Sequence, residues 1–129
     1  KKMEKEDDAR KHFMNQTTGH LLYYIINFLV GACVPALDHI SQRIDKIEMK
    51  IFKGRQKEMV EEISLAKRDL LDFRRIIKPQ KTILESLLRR GPLFFGEYLK
   101  PYFEDLIGSN DQLWNQLEND KETLESLAN

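Results

Sequence analysis

From Met59 to Leu87 the chain carries a series made of Met59, Ile63, Ala66, Leu70, Phe73, Ile77, Gln80, Leu84 and Leu87. The steps alternate strictly between four and three residues, which is the seam of a helix packed lengthwise against other long helices. Period-two alternation is absent, so no strand is expected. Gln80 is the polar member of the series and follows Pro79, which removes a backbone hydrogen bond and predicts a kink. A second seam reads Leu22, Ile26, Leu29, Cys33, Leu37, Ile40, Ile44, Ile47 and Ile51. Two steps of four fall together around Cys33, a stutter that locally unwinds a supercoil. Gly31 and Pro35 lie at the same place, so a bend is expected there. A third seam runs through Leu99, Phe103, Leu106, Asn110, Leu113, Leu117, Asp120, Leu124 and Leu127.

Punctuation between the seams predicts the boundaries. Gln16–Gly19 reads as a break, with Thr17 or Thr18 as the N-cap of a first helix from about His20 to Phe52. Lys53-Gly54 supplies a helix C-cap and a connection too short for anything but an antiparallel return. The second helix then covers about Gln56 to Arg89 and stops at Gly91-Pro92. Leu93–Lys100 is an apolar, aromatic linker, and Pro101 suits the first turn of a third helix. The expected organisation is a tail or remnant of a preceding domain over 1–16, an antiparallel hairpin over 17–91, and a linker with a long third helix over 92–129. The fold class is all-α with coiled-coil-like packing. The third seam reaches Asn129 without a capping signal and reads as interrupted rather than ended.

Composition narrows the function. The chain has 129 residues, of which 33% are charged and 41% apolar, as in a folded helical protein. Net charge is zero, but its distribution is uneven. Residues 55–90 carry ten basic and six acidic groups, whereas 91–129 carry two and eight. The basic residues Lys67, Arg68, Arg74, Arg75, Lys78, Lys81, Arg89 and Arg90 are expected to pair with acids on neighbouring helices, and a nucleic-acid partner is not expected. The single Cys33 excludes an internal disulfide and suits a reducing compartment. Leu21–Leu37 has Asn27 as its clearly polar member, just under the roughly 20 residues of a bilayer span. Its seam continues into a charged helix, so it reads as a buried helix whose several apolar faces need more cover than two partner helices give.

Catalytic chemistry finds little support. There is no glycine-rich phosphate loop, no Cys/His cluster and no Gly-x-Ser-x-Gly, and His12, His20 and His39 lack ligand spacing. An enzyme is not expected. The acids Glu97, Glu104, Asp105, Asp111, Glu118, Asp120, Glu122 and Glu125 offer oxygens of the kind hard divalent cations take, but without calcium-loop spacing. On spacing alone an ordinary charged face is expected; a metal site here would be shared across subunits and keep its waters, as magnesium sites do.

Several short motifs occur in a telling order. They are Leu21-Leu22-Tyr23, Pro35-Ala36-Leu37-Asp38, Arg43-Ile44-Asp45-Lys46-Ile47-Glu48, Leu65-Ala66-Lys67-Arg68-Asp69-Leu70, Arg75-Ile76-Ile77-Lys78-Pro79-Gln80 and Pro101-Tyr102-Phe103-Glu104-Asp105. Together they resemble the cytoplasmic helical part of CorA-type magnesium transporters, over roughly Thr18–Asn129. The resemblance implies an antiparallel helix pair beside an N-terminal α/β domain. It also implies a stalk helix leading into the first membrane span, and a homo-pentamer around the ion path. The α/β domain and the membrane spans lie outside this sequence, so the chain is expected to be a soluble piece from the cytoplasmic face of the inner membrane, unable to transport alone. Asp105 matches the family's regulatory magnesium ligand, which faces an acidic residue of a neighbouring subunit. The alternative is a soluble helical-bundle or coiled-coil interaction module without a metal role.

Overall fold

The computed structural model describes residues 2–128, with side chains from Thr18 to Ala128. Three long helices make up the chain: α1 (Lys2–Phe52), α2 (Val60–Phe95) and α3 (Lys100–Ala128). Short 3₁₀ turns at Lys57–Met59 and Glu97–Leu99 lead into α2 and α3. No strand occurs among the described residues. The all-α expectation holds.

Two glycines fold the rods back on one another. Gly54 takes a left-handed φ of 85°. Its N–H donates to the Ile51 carbonyl at 2.9 Å, while Arg55 donates to Lys50 at 3.0 Å. This pair of bonds closes the end of α1 as a Schellman motif. Gly96, at φ 100°, ends α2 and donates to the Pro92 carbonyl at 3.1 Å.

Register follows from the cross-helix pairs. His20–Tyr98, Asp38–Gln116 and Ser41–Asp120 are 78, 78 and 79 residues apart. A constant offset means that α1 and α3 run parallel with little slip. The pairs Arg43–Asp69 and Cys33–Gln80 set α1 antiparallel to α2, and Lys81–Asp111 and Arg74–Glu118 do the same for α2 and α3.

The seams of α2 and α3 are buried as read. Met59, Ile63, Ala66, Leu70, Phe73, Ile77 and Leu84 face Phe103, Leu106, Leu113, Leu117 and Leu124. The core falls into two clusters. The larger holds Leu37, Ile44, Ile77, Leu117 and Leu124 among others, and the smaller holds Leu84, Leu99, Phe103 and Leu106.

Four expectations need correction. The break at Gln16–Gly19 is absent, since α1 runs through it unbroken. Gly19 is there for packing. A Cβ on it would lie 2.3 Å from Leu99 Cδ1 and 2.9 Å from Phe95 Cβ, so α1 presses on the α2–α3 turn where only a hydrogen fits. The cap candidate Thr17 has its side chain outside the described residues.

Gly91-Pro92 does not end α2, which continues to Phe95. Gly91 is buried, with Phe103 3.5 Å from where its Cβ would stand. Pro92 stays inside the helix and forgoes the bond that a backbone N–H there would give the Leu88 carbonyl.

The α1 seam is displaced by one residue at Leu29, which is 56% exposed, whereas Val30 is 4% exposed. With Val30 in place the steps from Ile26 to Ile51 alternate four and three, and the stutter moves up to Ile26, between Leu22 and Val30. The apolar run 21–37 is also not enclosed: Leu21, Tyr24, Ile25, Phe28 and Val34 are exposed. The stretch Thr18–Phe52 is long and apolar enough to cross a membrane by length and composition alone, with a window of mean hydropathy 1.7. Its lower half is held differently, by Ile40, Ile44 and Ile47 buried in the bundle.

Candidate functional site

Asp105 sits in the second turn of α3. Pro101 fixes the first turn, and Leu99, Phe103 and Leu106 are buried in the smaller cluster. Those three anchors set the rotation of the helix, so Glu104 and Asp105 project to solvent side by side. Among the described residues no group of three or more His, Cys, Asp or Glu could hold a metal ion. Asp105 stands on an open face and belongs to no such group.

Beside this turn lies an aromatic patch joining α1 to α3. The His20 ring is 5.2 Å from Tyr98 and 6.1 Å from Tyr102, and Tyr23 meets Tyr102 edge-on at 5.1 Å. Burial pushes the Tyr98 hydroxyl above its ordinary value, with Tyr102 adding to it. The patch fixes the start of α3 against α1.

The other acids singled out in the sequence divide into two sets. Asp111 pairs with Lys81 at 3.3 Å, Glu118 with Arg74 at 3.7 Å, and Glu125 with Lys121 at 4.0 Å. Arg74 also lies 5.1 Å over the Trp114 ring, a cation–π contact. For Arg74 and Lys81, the expectation of pairing with acids on a neighbouring helix holds. Glu97, Glu104, Asp105 and Glu122 stay exposed.

A polar network between α1 and α3 was not read from the sequence. Gln116 donates to Ser41 Oγ at 2.8 Å and to Asp38 Oδ1 at 3.3 Å, and the Ser41 hydroxyl donates to Asp120. The polar seam position Asp120 was its one signal. Burial pushes the Asp120 carboxyl above its ordinary value; the Ser41 bond opposes this, and the Asp45 carboxylate reinforces it. The folded state therefore holds the proton better than the unfolded state. Stability from this group is fullest below the unfolded value and declines as pH rises through the raised one. Asp120→Asn is expected to flatten that part of the pH dependence of thermal unfolding. An unaltered slope between pH 4 and neutrality would contradict it.

The bundle thus carries an outward carboxylate on its third helix and the exposed apolar residues Leu21, Tyr24, Ile25 and Phe28 on its first. The family model for the CorA-like Mg2+ transporter protein matches residues 2–129, and the chain belongs to that family. Over 108 residues it is 30% identical to the cobalt/magnesium transport protein CorA of Thermotoga maritima. The match covers 84% of this chain and 31% of that relative, so the chain spans under a third of the protein it resembles. No solved structure matches it. The family consists of ion transporters rather than enzymes.

Proposed function

We propose that this chain is the helical regulatory part of a magnesium or related divalent-cation transport protein, placed on the cytoplasmic face of the inner membrane. In this reading α3 is the stalk leading toward the membrane, five copies surround the ion path, and the chain does not transport alone. The observation that carries the reading is the matched position of Asp105 on the exposed side of a turn whose opposite side is locked by Phe103 and Leu106. The exposed stripe Leu21, Tyr24, Ile25 and Phe28 would be covered by the α/β domain of the whole protein.

The chemistry needed from Asp105 is simple. A carboxylate held at a subunit boundary opposite another acid repels it, and a bound magnesium ion would offset that repulsion. Loss of the ion would leave two negative charges facing each other and shift the assembly toward separated subunits. Such a site responds to ion concentration because one carboxylate from each side is too little to hold the ion when it is scarce.

Asp105→Ala in the full-length protein is expected to abolish most of the protection that magnesium gives the assembly against limited proteolysis. Glu104→Ala serves as the neighbouring control. Undiminished protection in the Asp105 variant would count against the role, and would favour an interaction module without a metal function.

A further inference from the structure

We propose that the level of the bundle marked by Cys33, Gln80 and Asn110 is a flexible joint, about which the two apolar clusters tilt relative to each other. The joint belongs to the bundle itself and does not depend on the role of Asp105.

One residue from each helix meets at this level. The Gln80 amide approaches Cys33 Sγ at 4.0 Å, and the α1–α3 offset of 78 residues places Cys33 beside Asn110 and Asp111. On α2, Gln80 separates Ile77 of the larger cluster from Leu84 of the smaller. On α3, Asn110 separates Leu113 from Leu106 in the same way. Ile26 is a half-buried residue common to both clusters.

The level is poorly satisfied and loosely filled. Asn110 is 1% exposed, yet its Oδ1 finds no hydrogen-bond partner, and neither does the buried Oε1 of Gln80. A cleft of about 160 Å³ opens between Gln80, Val30 and Leu84, and another of about 140 Å³ between Asn110, Ile77 and Trp114. Close packing resists bending, and here it is interrupted on two sides. Tilting that admits solvent would give both carbonyl oxygens partners.

The backbone weakens at the same height. Gly31 and Pro35 flank Cys33, Pro79 precedes Gln80, and Gly108 lies just before Asn110. At about 1.5 Å of rise per residue, all four are within roughly 3 Å of the polar level along their helix axes. Each proline removes a helical hydrogen bond, and glycine is a poor helix former. Gly31 and Gly108 have nothing within 4 Å of an added Cβ, so no close contact requires them. Gly19, by contrast, is wedged against Leu99 and Phe95. Weak points on three separate helices coincide with the level at which Cys33, Gln80 and Asn110 interrupt the apolar seams.

The test is a pair of distance distributions by electron–electron spin resonance in the full-length protein. Nitroxide amino acids are introduced genetically at exposed sites, so that Cys33 stays intact. Labels at Glu62 and Arg75 lie on one side of the joint, and labels at Arg75 and Arg89 span it, with nearly equal separations along α2. The distribution across the joint is expected to be at least twice as wide. The combined variant Gly31→Ala, Pro79→Ala, Gly108→Ala favours the helix without filling any contact, and should narrow the spanning distribution to the width of the other. Equal widths in the parent protein, or a spanning width unchanged in the variant, would overturn the proposal.

Discussion

Phe103→Ala is expected to lower the unfolding free energy by about 3–5 kcal/mol, the range for emptying a fully buried aromatic site. Phe103 has no exposed surface and sits among Leu84, Leu99 and Leu106. A Cβ on Gly91 of α2 would stand in ordinary contact with its ring, 3.5 Å away, so the α2 backbone forms one wall of the site. The walls of the hole are buried side chains on two helices and a tight turn, and they have little freedom to collapse into it. For a protein whose total stability is about 5–15 kcal/mol, this is a large fraction. Urea denaturation followed by circular dichroism would measure it. Hydrogen exchange should place the loss at the end of α2 and the start of α3. A loss below about 1 kcal/mol would mean that the smaller cluster is not a packed core.

Leu37→Ala should cost about 2–5 kcal/mol, as for other buried leucines. Leu37 is fully buried in the larger cluster, among core residues of α2 and α3. The instructive control is Leu29→Ala, two turns earlier on the same helix and more than half exposed. That change should stay within about 0.5 kcal/mol, as is usual at the surface. A comparable loss at both positions would restore Leu29 to the seam and shift the packed face of α1 by one residue.

Leu29 also shows where sequence reasoning loses information. Along α2 and α3 polar residues separate the apolar ones, and the period alone names the buried face. Between Leu21 and Leu37 nearly every position is apolar, so the pattern cannot distinguish Leu29 from Val30. Burial in the folded bundle decides for Val30, which is enclosed where Leu29 is not. The glycines misled for a related reason. Gly54 and Gly96 act through their own backbone and can be read locally, whereas Gly19 and Gly91 answer to Leu99, Phe95 and Phe103 on other elements. Asp105 emerged from the order of motifs around it and not from charge or spacing, because the other half of the proposed ion shell lies beyond the chain. Cys33, Gln80 and Asn110 were each visible as seam positions. That they share a height depends on helix register, which the cross-helix pairs define.

The notch at Gly19 bears on how α1 keeps its place along the bundle. A ladder of evenly spaced aliphatic rungs is nearly the same after a slide of one heptad, since Val30, Leu37 and Ile44 would simply exchange seats. Sliding by seven residues would instead bring Ile26 or His12 to the point where Leu99 and Phe95 leave room for a hydrogen atom. A missing side chain thus acts as an axial stop, giving an otherwise repetitive interface a single allowed setting.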